Sequence, residues 1–140
     1  MILLTILVGK FVNETNNHKA EQDAKKSAIP RFSADFNGLA QQIEQNEPIV
    51  RKVDRYAESS QFSPDDPLNP FFTIGLKPNA TCTQATNVAK KYYPLLIEMR
   101  EKYLPTEEAQ SCEIDVNNDV DLNMLSINSE GIHEGPNCGN

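Results

Sequence analysis

Apolar side chains recur along this chain at two different periods, and the switch between them divides it. Phe32, Phe36, Leu39 and Ile43 follow one another at spacings of 4, 3 and 4, which predicts a helix over about residues 31–45 with one face to be covered. Pro30 suits the first turn of that helix, or a kink if the helix is continuous from Asn16, because proline lacks the backbone donor and crowds the preceding turn. After Pro48, the residues Ile49, Val50, Val53 and Tyr56-Ala57 keep the helical spacing. Two helices, or one long bent one, are therefore predicted over residues 17–58. Residues 59–70 include Ser-Pro-Asp-Asp-Pro-Leu-Asn-Pro, which can continue neither a helix nor a ladder and is predicted to be a surface loop.

The period then changes to two. Phe72, Ile74 and Leu76 alternate with Thr73 and Gly75, as in a strand with one buried face. Thr81 or Thr83 can cap the next helix, along which Ala85, Val88, Ala89, Tyr92, Leu96, Met99 and Tyr103 form a stripe, with Pro94 expected to kink or split it. Ile114-Asp-Val116 and Val120-Asp-Leu122-Asn-Met124 alternate on either side of Asn117-Asn-Asp119, the pattern of a β-hairpin. From Ile127 onward the chain is polar and turn-rich, and residues 127–140 are predicted to be a flexible acidic tail. The expected organisation is an N-terminal helical segment over 1–58 with an apolar start at 1–12, a Pro-rich loop over 59–70, an α+β region over 71–126, and the tail. The fold class is α+β, with a long N-terminal amphipathic helix on a small antiparallel sheet.

With 140 residues and an apolar fraction of 39%, one core suffices. The net charge of −7 is unevenly placed, because residues 105–140 carry 8 acidic side chains and no Lys or Arg. Phosphate backbones repel such a chain, so nucleic acid is not expected as a partner. Met1 to Val8 is the single uninterrupted apolar run, and it is too short to cross a bilayer alone. Three readings stand for it: the exposed half of a membrane or filament helix whose first part is missing, a buried first strand or helix, or an atypical export signal.

Three cysteines leave one over after any single bond. Cys82 opens a predicted helix and Cys112 closes the next segment, so this pair is the favoured disulfide of a small exported domain. Cys138, in the turn-rich Gly135-Pro-Asn-Cys-Gly-Asn140, is left free, pairs between chains, or replaces one of the two; three reduced thiols in a cytosolic protein are the plain alternative.

Candidate chemistry is sparse. Asp115, Asn117, Asp119 and Asp121 stand at alternate positions and resemble the start of a calcium loop, in which several oxygens wrap a hard cation. Val120 stands where such a loop needs glycine, and Ser126 where the bidentate carboxylate belongs, so a hairpin with a solvated polar face is the competing reading. The two imidazoles, His18 and His133, lie in segments predicted to be solvated or mobile, which argues against a Cys-His dyad. Asp65-Asp66 and Glu107-Glu108 show no apolar surroundings of the kind that prepare an acid catalyst. No catalytic residues are assigned, and no enzyme is expected. Asn13-Glu-Thr15 and Asn79-Ala-Thr81 fit the N-glycan acceptor pattern, and Tyr92, Tyr93 and Tyr103 either form an exposed anchor patch or pack inward.

An apolar start passing into a long helix, a Pro-rich linker, Phe71-Phe-Thr-Ile-Gly-Leu76, Ala80-Thr-Cys82 opening a helix, and Thr106-Glu-Glu-Ala-Gln-Ser-Cys112 before a hairpin together resemble a type IV pilin, most closely the class b branch. The resemblance covers residues 17–125 and lies in the order of elements and in the two cysteine contexts. It departs from the family at Thr5, where a Glu is usual, and in the short apolar run, so a truncated or altered start, or a minor, divergent form, is expected. What it implies is a structural subunit of a cell-surface filament that self-associates, or joins other filament subunits, by helix packing. The assembly face would be Phe32, Phe36, Leu39 and Ile43, the location extracellular or cell-surface, and the N-terminus in contact with a membrane or filament core. The alternative is an exported or membrane-tethered binding domain without enzymatic activity, in which calcium is a possible ligand.

Overall fold

Pro30 does not end the first helix. In the computed structural model, which describes residues 2–56, 68, 72–119, 124–136 and 138, and within the first helix the side chains of 23, 24 and 26–46, α1 runs Ile2–Asn46 with Pro30 inside it. The apolar stripe does what its spacing predicts: Phe32, Phe36 and Ile43 are at most 1% exposed and Leu39 is buried beside Ala40. These side chains are consumed by the chain's own core, against Phe72 of the sheet and Tyr56. As a face for a second subunit, then, the stripe Phe32, Phe36, Leu39 and Ile43 is corrected, since a surface already closed within one copy offers nothing to another.

The segment after Pro48 is a strand and not a second helix. β1 (Val50–Val53) pairs antiparallel with β2 (Phe72–Leu76), and the register shifts between Val50 and Lys52. That irregularity puts Val50 and Val53 on the same buried side with Arg51 and Lys52 exposed between them, so a bulged strand imitates helical spacing. Gly75 sits where the bulged strand comes close, and a Cβ there would lie 3.3 Å from the Lys52 carbonyl oxygen. The free side of β1 is closed by α1. Glu44 Oε2 accepts from the Val53 N–H at 2.8 Å while its Oε1 holds Arg55 at 2.6 Å, and Asn37 Oδ1 accepts from the Tyr56 N–H. Side-chain acceptors thereby satisfy backbone donors that an edge strand otherwise leaves unpaired.

Cys82 starts α2 (Cys82–Arg100), and Thr81 is its N-cap in a capping box with Gln84: the Thr81 hydroxyl accepts from the Gln84 N–H, and the Gln84 side chain accepts from the Thr81 N–H. Pro94 lies within this one helix, which is not split. α2 buries Ala85, Val88, Ala89, Tyr92, Leu96 and Met99, as their spacing predicts. It also buries Arg100, 1% exposed, whose guanidinium donates to the Ala109 carbonyl at 2.6 Å and the Leu68 carbonyl at 3.3 Å. Leu68, fully buried, anchors the Pro-rich segment predicted as a surface loop; residues 59–67, 69 and 70 of that prediction lie outside the described residues.

A short α3 (Thr106–Ala109) leads to β3 (Ile114–Asn118), which runs parallel to β2. Among the described residues the hairpin partner of β3 is β4 (Leu125–Asn128), with Ile114 opposite Ile127; residues 120–123 of the predicted second strand lie outside the described residues. The predicted tail folds as well. β5 (Gly131–Glu134) pairs with β4 across a tight turn in which Gly131 takes φ +116°, a conformation that favours glycine, and the Asn128 side chain accepts from the Glu130 N–H. The molecule is α+β with a five-stranded sheet in the order β1-β2-β3-β4-β5. The sheet is mixed and not purely antiparallel, because β2 and β3 are joined through α2, and a helical crossover makes its flanking strands parallel.

Cys82 is bonded to Cys138, with Cα atoms 5.4 Å apart, and Cys112 is a buried free thiol. The expected Cys82–Cys112 pair is therefore corrected. The sulfur at 112 is 1% exposed at the start of β3, inside the apolar core, whereas β5 turns the chain back and Gly135 donates to the Met124 carbonyl, bringing residue 138 to the start of α2.

Candidate functional site

The sheet has one face covered by helices and one left half-exposed, and the second face collects the polar residues. β3 turns Ile114, Val116 and Asn118 inward and Asp115 and Asn117 outward. Register places Asp115 beside Thr73 on one side and Ser126 on the other, and Ser126 beside His133. Asp115, Ser126 and His133 of this row line one shallow pocket together with Glu134. His133 is exposed and its Nε2 lies 3.3 Å from Asn128 Oδ1. Burial, and then the neighbouring Glu113 charge, push the Asp115 carboxyl above its usual range.

The described members of the calcium candidate, Asp115, Asn117 and Asp119, lie along β3 and just past its end. Asp115 and Asn117 belong to an extended strand, where each residue advances about 3.3 Å, so Asp115, Asn117 and Asp119 span about 13 Å. A cation held at 2.3–2.6 Å by each ligand needs a loop that curls around it. Asp119 instead pairs with Arg51 at 2.9 Å. Asp121 lies outside the described residues, and no group of three or more His, Cys, Asp or Glu side chains fit to hold a metal occurs among those that are described.

Cys112 is held as a thiol. Burial raises its proton affinity more than Arg100 lowers it, and the Tyr93 hydroxyl donates to its carbonyl at 3.0 Å. A thiol in the core and an imidazole on the surface do not make a dyad; the side chain of His18 lies outside the described residues, as do Asp65 and Asp66. Glu107 and Glu108 are exposed in the first turn of α3, where carboxylates favour the helix terminus.

The three tyrosines expected either as a patch or as packed residues turn inward to different degrees: Tyr92 is buried, and Tyr93 and Tyr103 are half-buried. The Tyr92 hydroxyl donates to Glu47 Oε1 at 3.0 Å, the same oxygen that holds Lys91 at 2.9 Å. Glu47 also lines an open groove of about 480 Å³ whose apolar lining includes Ile49 and Val88. The exposed Asn79 of the second glycan-acceptor pattern also lines that groove; the side chain of Asn13 lies outside the described residues. The Tyr103 hydroxyl donates to Asp35 Oδ2, joining α2's end to α1. Burial, then the Asp35 hydrogen bond and charge, push Tyr103 from 10.0 up to about 12. A raised folded-state value means that the contribution of Tyr103 to stability is complete below pH 10 and is lost as pH rises through about 12. In the Asp35→Asn protein, tyrosinate absorbance is expected to develop at lower pH than in the parent; identical titration curves would contradict this contact.

Sequence reasoning missed Arg100 and the Glu44 clamp. Arg100 ends the α2 stripe one position after Met99 and carries no signal that separates it from a solvated helix-terminal cation. No family model, curated protein or solved structure matches this chain. Among the described residues no helix is long and apolar enough to cross a membrane. The disulfide is consistent with an exported, non-cytoplasmic protein.

Proposed function

We propose that this chain is a pilin-like structural subunit of a cell-surface filament, assembling through the N-terminal part of a long α1. Two features of that helix support the proposal. The described core draws on α1 from Ala28 and Ile29 through Ile43, while the sequence far upstream opens with the apolar run Met1 to Val8. In the proposed arrangement the helix docks through residues 28–43 on a disulfide-tied α+β body, and its upstream part packs on neighbouring subunits. In this reading the helix-packing contact moves from the Phe32–Ile43 stripe to the upstream segment. Export to an oxidising compartment suits the Cys82–Cys138 bond.

The reading is tested by removing residues 1–12, which takes away none of the core side chains from Ala28 on. The full chain is expected to self-associate in sedimentation velocity and to form filaments visible by electron microscopy, and the shortened chain to be a folded monomer. An unchanged oligomeric state after the truncation would refute it.

A further inference from the structure

The two edges of the sheet carry opposite charge. At one edge, β1 exposes Arg51 and Lys52, and Lys77 is exposed just after its neighbour β2. At the other, β5 and its turn expose Glu130 and Glu134. The segment from residue 105 onward, which supplies β3, β4 and β5, contains no Lys or Arg with which to balance that charge internally. Arg51 reaches Asp119, so the basic character of the first edge rests on Lys52 and Lys77.

The two edges are the outermost strands of one five-stranded sheet, about 19 Å apart at the usual strand spacing. They cannot meet within a chain. Between chains they can, and the described surface offers little else, because Leu95 is the only large apolar side chain exposed on it. The Val53 N–H of β1 and the Tyr56 N–H just after it are already taken by Glu44 and Asn37, so the contact there is assigned to side chains and not to an added strand.

We infer that the β5 edge of one copy, through Glu130 and Glu134, docks on the β1 edge of the next, through Lys52 and Lys77. The partner is thus a second copy of this chain. The contact joins two different patches and is heterologous. Repeated without closure it produces an open string and not a symmetric dimer. The inference rests on the self-assembling subunit proposed above and names the part of the body that touches its neighbour.

A charge swap in the full chain tests it. Glu130→Lys with Glu134→Lys makes both edges basic, and Lys52→Glu with Lys77→Glu makes both acidic. All four side chains are exposed, so both variants are expected to melt as the parent does. In sedimentation velocity at low salt, where charge is least screened, each variant alone is expected to lose about tenfold or more in self-association. An equimolar mixture of the two is expected to recover it, since each acidic edge again finds a basic one. If the parent assembles and either variant alone assembles equally well, or the mixture fails to recover, the edge contact is wrong while the helix-mediated subunit stands. If the parent does not self-associate at any salt, both fall.

Discussion

Phe36→Ala is expected to lower the unfolding free energy by about 4 kcal/mol, the range found when a large aromatic is removed from a core. Phe36 is 1% exposed, and its ring meets Phe72 at 4.8 Å in a T-shaped contact, Tyr56 at 5.9 Å and Phe32 at 6.3 Å. It thus joins α1 to the central part of the sheet and to the segment after β1. Surroundings drawn from three elements cannot all collapse into the space it leaves, so cavity loss adds to lost transfer energy. Urea unfolding should show a lower midpoint with an unchanged slope. A loss below about 1 kcal/mol would mean that α1 is not docked on the sheet in this way. Leu95→Ala supplies the contrast, because Leu95 is 37% exposed, and a change within about 0.5 kcal/mol is expected there.

Cys138→Ser should cost about 4 kcal/mol. The bond closes a loop with a sequence separation of 56, and the chain-entropy account of such a loop gives a value of about that size. For a chain of this length that corresponds to a melting point lower by roughly 10 °C. Cys112→Ser should behave differently. It leaves the cross-link intact, and peptide mapping of either the parent or this variant should recover residues 82 and 138 in one bonded fragment. Recovery of a Cys82–Cys112 fragment from the native protein would contradict the pairing. The effect of reductant on the melt should match that of Cys138→Ser, since both remove the same constraint.

The parts of the fold that could be read from the sequence are those where one period persists and both neighbours agree with it. The stripe Phe32, Phe36, Leu39 and Ile43 and the alternation Phe72, Ile74 and Leu76 each face one uniform layer, and Thr81 with Gln84 has a local capping chemistry that needs no tertiary partner. β1 was hidden by its bulge: Val50 and Val53 three apart satisfy a helical template as readily as a bulged strand, and only pairing with β2 decides between them. β4 was missed because Met124 and Leu125 are adjacent and both buried, a break in parity that a period-two reading takes as an end. The parallel pairing of β2 with β3 depends on α2 crossing between them and has no local signal.

The candidate sites were legible only as composition. An acidic C-terminal segment is visible in the residues, but its gathering at one edge of the sheet depends on β5, which the turn-rich sequence conceals. Three cysteines permit three single pairings, and spacing alone does not choose among them. The choice was made by Gly131 and Asn128, whose turn reverses the chain, and by the core that took in Cys112. Arg100 and Glu44 gain their partners from Leu68, Ala109, Val53 and Arg55, 9 to 32 positions away, whereas a helical period reports only neighbours three and four apart.

The position of the bonded cysteines also sets an order of events during synthesis. The sulfur at 82 emerges from the ribosome well before its partner at 138, and the sulfur at 112 emerges in between, so the wrong partner is available first. In the folded chain residue 112 is hidden in the core, so the competing sulfur is out of reach once the native packing has formed. A variant whose core no longer covers residue 112 is therefore expected to depend on thiol-exchange catalysts to mature, a rescue that runs over seconds to hours.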